Sequence, residues 1–196
     1  MKRPKTFHKT YSFIVAVVLF VAMFFVAILF GAADTTMKDL WHAITGSHTS
    51  DAISAIRDIR LPREIAAIFV GAALATAGAI MQGITRNPLA DPGLLGLTAG
   101  ANAMLAIKFV FFPSVSYFGT IFFCFIGALL GAALVFGIGS ARKGGLSPFR
   151  IVLAGAAVST FLIALEQGIS LYFKVSKDVT MWTAGGLIGT SWAQLK

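Results

Sequence analysis

The sequence has few charged residues and very little cysteine or histidine. Only 12% of its 196 residues are charged, against about 25% in an ordinary soluble domain, and 57% are hydrophobic. Such a chain lacks the polar surface needed to face water on all sides, which excludes a soluble globular enzyme. The single cysteine, Cys124, lies in an apolar run, so no intrachain disulfide is possible. The three histidines are scattered over polar segments without ligand spacing, so no metal site is predicted.

Arrangements typical of catalysis are also missing from the sequence. It contains no G-x-x-x-x-G-K-[ST] phosphate loop, no pair of carboxylates on one helix face, and no Ser, His and Asp set within an apolar segment. We therefore predict no enzymatic activity and no cofactor for this chain. Any energy for its work comes from another chain that hydrolyses ATP, or from an ion gradient. The formal charge of +8 resides in residues that flank apolar runs, which favours an orientation signal over a nucleic-acid partner.

Five apolar runs dominate the sequence, and each comes close to the ~20 residues that a helix needs to cross a bilayer. They predict an all-α fold, a polytopic helical bundle in the membrane. A secretory signal is the alternative for the first run, because Gly31, Ala32 and Ala33 resemble a cleavage site. That run is longer than the roughly 7 to 15 residues of a signal core. The runs cover residues 11–33, 62–84, 93–112, 117–141 and 151–173.

The polar segments between the runs suggest an orientation. Residues 1–10 are basic, which predicts that the amino terminus lies inside the cell and that residues 34–61 are external. A short amphipathic helix is expected at about 37–44. Pro62 is expected to open the second span, since proline in the first turn of a helix costs no hydrogen bond.

Small residues recur at every fourth position in three of the spans. One face of each span is nearly bare of side chains, which predicts close helix packing in a bundle of any function. The stripes consist of Ala67, Gly71, Ala75, Ala79 and Gly83; of Gly127 and Gly131; and of Ala156, Thr160, Ala164 and Gly168.

Two ionisable residues, Lys108 and Glu166, lie inside predicted spans. Charged groups are expensive there, so both are candidate functional residues. Lys108 could instead extend its ammonium group to the outer interface. Glu166 could form a hydrogen bond between helices. An ion pair between the two is a further hypothesis.

Three arginines, Arg57, Arg60 and Arg63, fall in the sequence RDIRLPR just before the second span. An external position for them runs against the positive-inside rule. Guanidinium groups suit bidentate pairing with carboxylates, which points to an acidic partner that approaches from outside. Anchoring to lipid headgroups is the alternative.

Several motifs follow one another along the sequence. They are RLPR at 60–63, GAALATAGAIMQ at 71–82, RNPLADPGLLG at 86–96, LAGAA at 153–157, and the pattern of Trp182, Gly185, Gly186, Leu187 and Trp192. Together they resemble one family, the iron-siderophore and cobalamin permeases of bacterial ABC importers. The resemblance implies ten spans in a whole permease, a dimer with a second permease subunit, two cytoplasmic ATP-binding subunits, and an external substrate-binding protein that delivers a metal chelate.

The resemblance also suggests roles for particular residues. It implies that Arg60 and Arg63 dock acidic residues of the binding protein, and that Asn87 and Leu89 belong to a cytoplasmic gate. Ser147 is a second gate candidate, although Pro148 and Phe149 beside it depart from the small hydroxyl residues often found in relatives. Polar, uncharged residues suit a pathway for a bulky chelate, although each could equally bond a neighbouring helix; they are Gln82, Thr98 and Asn102.

The predicted function is thus a permease subunit that moves ferric siderophore or a related metal chelate across the bacterial cytoplasmic membrane. Two alternatives remain: an ion-coupled secondary transporter or channel that uses Glu166, and a scaffold subunit that acts through the small-residue stripes. Family members are much longer, so residues 1–196 are expected to be the amino-terminal part of a permease. We expect this part not to support ATP-driven transport alone.

Overall fold

The computed structural model describes residues 5–30, 35–46, 50–141 and 147–195, and these parts are almost wholly helical. The all-α prediction is confirmed. A π-helical turn at Ile56–Arg60 joins α3 to α4, and a 3₁₀ turn at Pro92–Leu95 precedes α5. The helices are α1 (Lys5–Leu29), α2 (Met37–Thr45), α3 (Asp51–Ala55), α4 (Leu61–Thr85), α5 (Leu97–Phe111), α6 (Tyr117–Ser140), α7 (Pro148–Tyr172), α8 (Ser176–Gly185) and α9 (Trp192–Leu195).

Each of the five predicted apolar runs forms a helix. Four of these helices are long and apolar enough to cross a membrane, whereas α5 has 15 residues and is shorter than a full span. The cleavage-like residues 31–33 lie outside the described residues, as do residues 1–4 of the basic amino-terminal segment. The described residues fall into two compact units. We call them the amino-terminal unit, within Met1–Gly71 and Leu187–Lys196, and the central unit, within Ala72–Gly186.

The second span begins earlier than the sequence suggested. Helical structure runs without interruption from Asp51 to Thr85, over 35 residues, so Pro62 lies inside a helix and does not start one. The Ser50 side chain accepts a hydrogen bond from the Ile53 amide and forms the true helix start. Proline in a helix interior removes one backbone hydrogen bond. A π-helical turn lies immediately before Pro62, in the middle of the continuous helix.

In the amino-terminal unit, α2 packs over the carboxyl end of α1 and the start of the α3–α4 helix, as the predicted amphipathic helix requires. A capping box between Thr36 and Asp39 opens α2. Hydrogen bonds from Thr36 hold the pKa of Asp39 below its usual value, so the box is formed by a charged carboxylate at neutral pH. The buried cluster consists of Ile28, Leu40, Ala43, Ile53 and Ile56.

In the central unit, α5, α6 and α7 pack against one another, and glycines bring the helix backbones together. A Cβ atom on Gly127 would overlap the backbone of Gly100, and one on Gly131 would overlap the carbonyl of Gly96. Gly155 on α7 packs equally closely against the carbonyl of Leu94. The close packing predicted for Gly127 and Gly131 is therefore confirmed.

The other two stripes are not packed within the described chain. On α4, a Cβ atom added to Gly71 or Gly83 would meet no other atom within 4 Å. On α7, Ala156, Thr160 and Ala164 are exposed, and the neighbouring face is buried instead, through Ala154, Gly155, Val158 and Leu162. Within the described chain, α5 and α6 therefore pack against the face of α7 beside its stripe, and close packing of the stripes on α4 and α7 stays a prediction.

Candidate docking surface and intramembrane polar residues

Arg60 is bound within the chain. Its Nη1 donates to the carbonyl oxygens of Ile28 at 2.6 Å and Leu29 at 3.3 Å, and to Thr35 Oγ1 at 2.8 Å. The last carbonyls of a helix have no partner inside the helix and carry a partial negative charge. The guanidinium group of Arg60 supplies both the donors and the opposite charge at the end of α1. Arg60 therefore joins α1 to the α3–α4 helix.

Arg57 and Arg63 are exposed, unlike the half-buried Arg60. Arg57 lies in the π-helical turn, and Arg63 lies in the first turn of α4. Each is three residues from Arg60, but the helix turn directs only Arg60 toward the end of α1. The structure thus separates the three arginines, which are neighbours in the sequence. Arg60 forms hydrogen bonds within the chain, whereas Arg57 and Arg63 have accessible guanidinium groups. We call Arg57 and Arg63 the exposed arginine pair.

The turn after α4 holds the first predicted gate. Asn87 Oδ1 accepts a hydrogen bond from the Leu89 amide at 3.0 Å, which is an Asx turn. Arg86 before it has a positive φ of 51°. This local bonding leaves the Leu89 side chain 88% exposed while the next residue, Ala90, is buried. Asn87 therefore shapes the turn, and Leu89 is the side chain that the turn presents.

Ser147, the second gate candidate, caps a helix. Its side chain accepts a hydrogen bond from the Arg150 amide at 3.3 Å, and Pro148 occupies the first turn of α7. Phe149 beside it is exposed. The departure from the family pattern at Pro148 thus produces an ordinary helix start.

The predicted pathway residues are only partly accessible. Gln82 in the last turns of α4 and Thr98 at the start of α5 are exposed, whereas Asn102 on α5 is half-buried. Among the described residues, Gln82 and Asn102 form no side-chain hydrogen bond with another helix. Their role in a pathway stays a prediction.

The Lys108 side chain is buried, with 4% of its surface exposed, and its ammonium group contacts other residues of the central unit. Its Nζ lies 3.4 Å from the Pro113 carbonyl oxygen and 4.5 Å from the centre of the Phe109 ring. Both contacts are close in sequence, and the amine sits in the last turn of α5, where a positive charge is favourable.

Glu166 has a different partner. Its Oε1 accepts a hydrogen bond from Ser170 Oγ at 2.9 Å, one turn further along α7. The structure does not bring Lys108 and Glu166 together as an ion pair within the described chain.

We expect Lys108→Met to be tolerated and Lys108→Glu to be harmful. Methionine fills similar space and removes a weakly bonded buried charge, whose desolvation cost offsets much of its attraction to its neighbours. Glutamate would place a negative charge beside the Pro113 carbonyl and an aromatic face. The charge reversal should lower the free energy of unfolding by ~2 kcal/mol or more. Thermal unfolding in detergent checks this, and equal losses in the two variants would contradict it.

The long apolar helices and their glycine contacts define the class of the protein, a polytopic helical membrane protein. Its sequence matches the FecCD transport family over residues 19–196. The chain belongs to that family.

Individual relatives agree with this assignment. The chain is 45% identical over 170 residues to the iron(3+)-hydroxamate import system permease protein FhuB of Bacillus subtilis. The matched region covers 86% of this chain and 44% of FhuB. It is 39% identical over 162 residues to the ferric enterobactin transport system permease protein FepD of Escherichia coli, and the matched region covers 82% of this chain and 48% of FepD. The chain thus spans about half the length of the curated relatives it matches.

The fold is also found in a solved structure, a metal-chelate type ABC transporter in an inward-facing conformation. The TM-score is 0.70 at 23% sequence identity, with 91% of this chain and 54% of that chain covered. This likeness supports the helix arrangement.

Proposed function

We propose that the chain forms part of the membrane pathway of an ATP-driven importer for ferric siderophores or a related metal chelate. Membership of the FecCD transport family supports this proposal, and so do the iron-import permeases among its relatives. In this proposal ATP hydrolysis belongs to two separate ATP-binding subunits. A second permease subunit completes the assembly.

The exposed arginine pair is the docking site for the external substrate-binding protein in this proposal. The observation that carries it is a difference in accessibility. Arg60 is bonded to the end of α1, whereas Arg57 and Arg63 are exposed. The proposal takes the amino terminus to be inside, so that a single crossing of the membrane by α1 would bring the pair to the external side. Guanidinium groups there suit surface carboxylates of a docking protein.

Charge reversal of the exposed arginine pair tests the docking role. We expect Arg57→Glu with Arg63→Glu to weaken binding of the cognate substrate-binding protein by about ten-fold or more, because like charges would then face each other. Added salt should weaken binding to the unaltered transporter and affect the variant less. Both effects are measured as the affinity between the assembled transporter and its binding protein.

Lys38→Glu is the matched control, since Lys38 is an exposed cation on α2 in the same unit. It should leave the affinity nearly unchanged. If Lys38→Glu weakens binding as much as the double variant at Arg57 and Arg63 does, binding depends on overall charge and not on these two guanidinium groups. Unchanged binding by the pair variant would contradict the docking role.

The turn at Asn87 and Leu89 serves as the cytoplasmic gate in the same proposal, together with the helix start at Ser147. The exposed Leu89 side chain and the bonding of Asn87 support it, because a rigid turn that presents one apolar side chain can close a narrow mouth. Gln82 and Asn102 contribute polar groups to the pathway.

A further inference from the structure

The indole of Trp192 contacts the helix turn that carries Arg57. Its Nε1 donates to the backbone carbonyl oxygen of Arg57 at 2.8 Å. The two residues are far apart in the sequence, and both belong to the amino-terminal unit. The segment after α8 thus returns to this unit and is tied to it by a side-chain to backbone hydrogen bond.

The Arg57 carbonyl is free to accept this bond because of Pro62. In an α-helix the carbonyl of Arg57 would pair with the Leu61 amide, but that amide donates to the Ile56 carbonyl in the π-helical turn. In a π-helix its partner would be residue 62, which is a proline and has no N–H group. Both backbone donors are therefore excluded, and the indole N–H takes their place.

We propose that Trp192 is a positioning residue, which replaces the helix hydrogen bond lost at Pro62 and thereby fixes the turn that presents Arg57 and Arg63. Arg57 lies within the turn, and Arg63 follows directly after Pro62. The geometry of the turn sets the direction in which both guanidinium groups leave the helix. The effect on partner binding rests on the proposed docking function, whereas the effect on the turn does not.

A double-mutant cycle between positions 192 and 62 tests this proposal. Trp192→Phe keeps an aromatic ring but removes the donor, so amide hydrogen exchange across residues 56–64 should rise on the order of five-fold. Pro62→Ala restores a backbone N–H, so that Arg57 has a backbone donor in either helical register. In that background Trp192→Phe should change the exchange very little. Trp41→Phe is the control, because Trp41 is an exposed indole on α2 of the same unit.

Equal effects of Trp192→Phe with and without Pro62→Ala would overturn the proposal, and so would no effect in either background. The second measurement is the affinity of the assembled transporter for its substrate-binding protein. Weaker binding by Trp192→Phe that Pro62→Ala restores supports the full proposal. In a third outcome, Pro62→Ala removes the effect of Trp192→Phe on hydrogen exchange, but neither substitution changes the affinity. That result would support the role of Trp192 in the turn and would contradict docking at the exposed arginine pair.

Discussion

Gly127→Ala is expected to destabilise the central unit by ~3 kcal/mol, although it adds only one methyl group. The new Cβ would overlap the Gly100 carbonyl and would lie 2.6 Å from the Cβ of Met104. Backbone atoms cannot move aside as the end of a flexible side chain can. The α5 and α6 helices would have to separate, and the contacts along their whole shared face would weaken. Thermal unfolding in detergent, followed by circular dichroism, measures this loss.

Gly137→Ala provides the matched control on the same helix. No atom lies within 4 Å of a Cβ at Gly137, and alanine favours helix more than glycine does by about 1 kcal/mol. This variant should be as stable as the parent protein or slightly more stable. Similar losses at positions 127 and 137 would mean that glycine itself, and not the close helix contact, is what α6 requires.

Arg60→Met is expected to release the carboxyl end of α1 at a cost of about 2 kcal/mol, typical of hydrogen bonds to a charged group. Methionine retains the apolar stem but leaves the carbonyls of Ile28 and Leu29 without the guanidinium donor. The loss matters because most of α1 is exposed and its buried contacts lie near Ile28. Faster amide exchange in the last turn of α1 and a lower unfolding temperature are the expected results.

Arg63→Met is the control, because it removes a positive charge without removing the hydrogen bonds between Arg60 and the end of α1. Arg63 is exposed, so Arg63→Met should leave α1 unchanged and should affect only partner binding. If both variants loosen α1 to the same extent, the contacts of Arg60 with α1 contribute little. If Arg60→Met leaves α1 as stable as before, the tie between α1 and the α3–α4 helix is of no consequence.

The sequence was sufficient to predict the long apolar helices, the amphipathic helix α2 and the family. Apolar runs of spanning length predicted each long helix, because a bilayer offers no partner for an unpaired backbone group. The amphipathic pattern near residue 40 predicted α2, and the motifs from RLPR at residue 60 onward predicted the family that the comparison found. The predicted start of the second span was wrong because Ser50 caps a helix that passes through Pro62, and the π-helical turn before Pro62 leaves no sequence signal of its own.

The sequence by itself determined that the chain forms membrane helices, that certain of their faces carry small residues, and that arginines cluster before α4. Only the tertiary structure decided which of these features are used within the chain. Gly127 is packed and Gly71 is not, since a bare face does not specify which helix will cover it. Arg60 is engaged while Arg57 and Arg63 are exposed, because the carbonyls that bind Arg60 belong to a helix end about thirty residues earlier. Spacing along one segment contains no information about that distant partner.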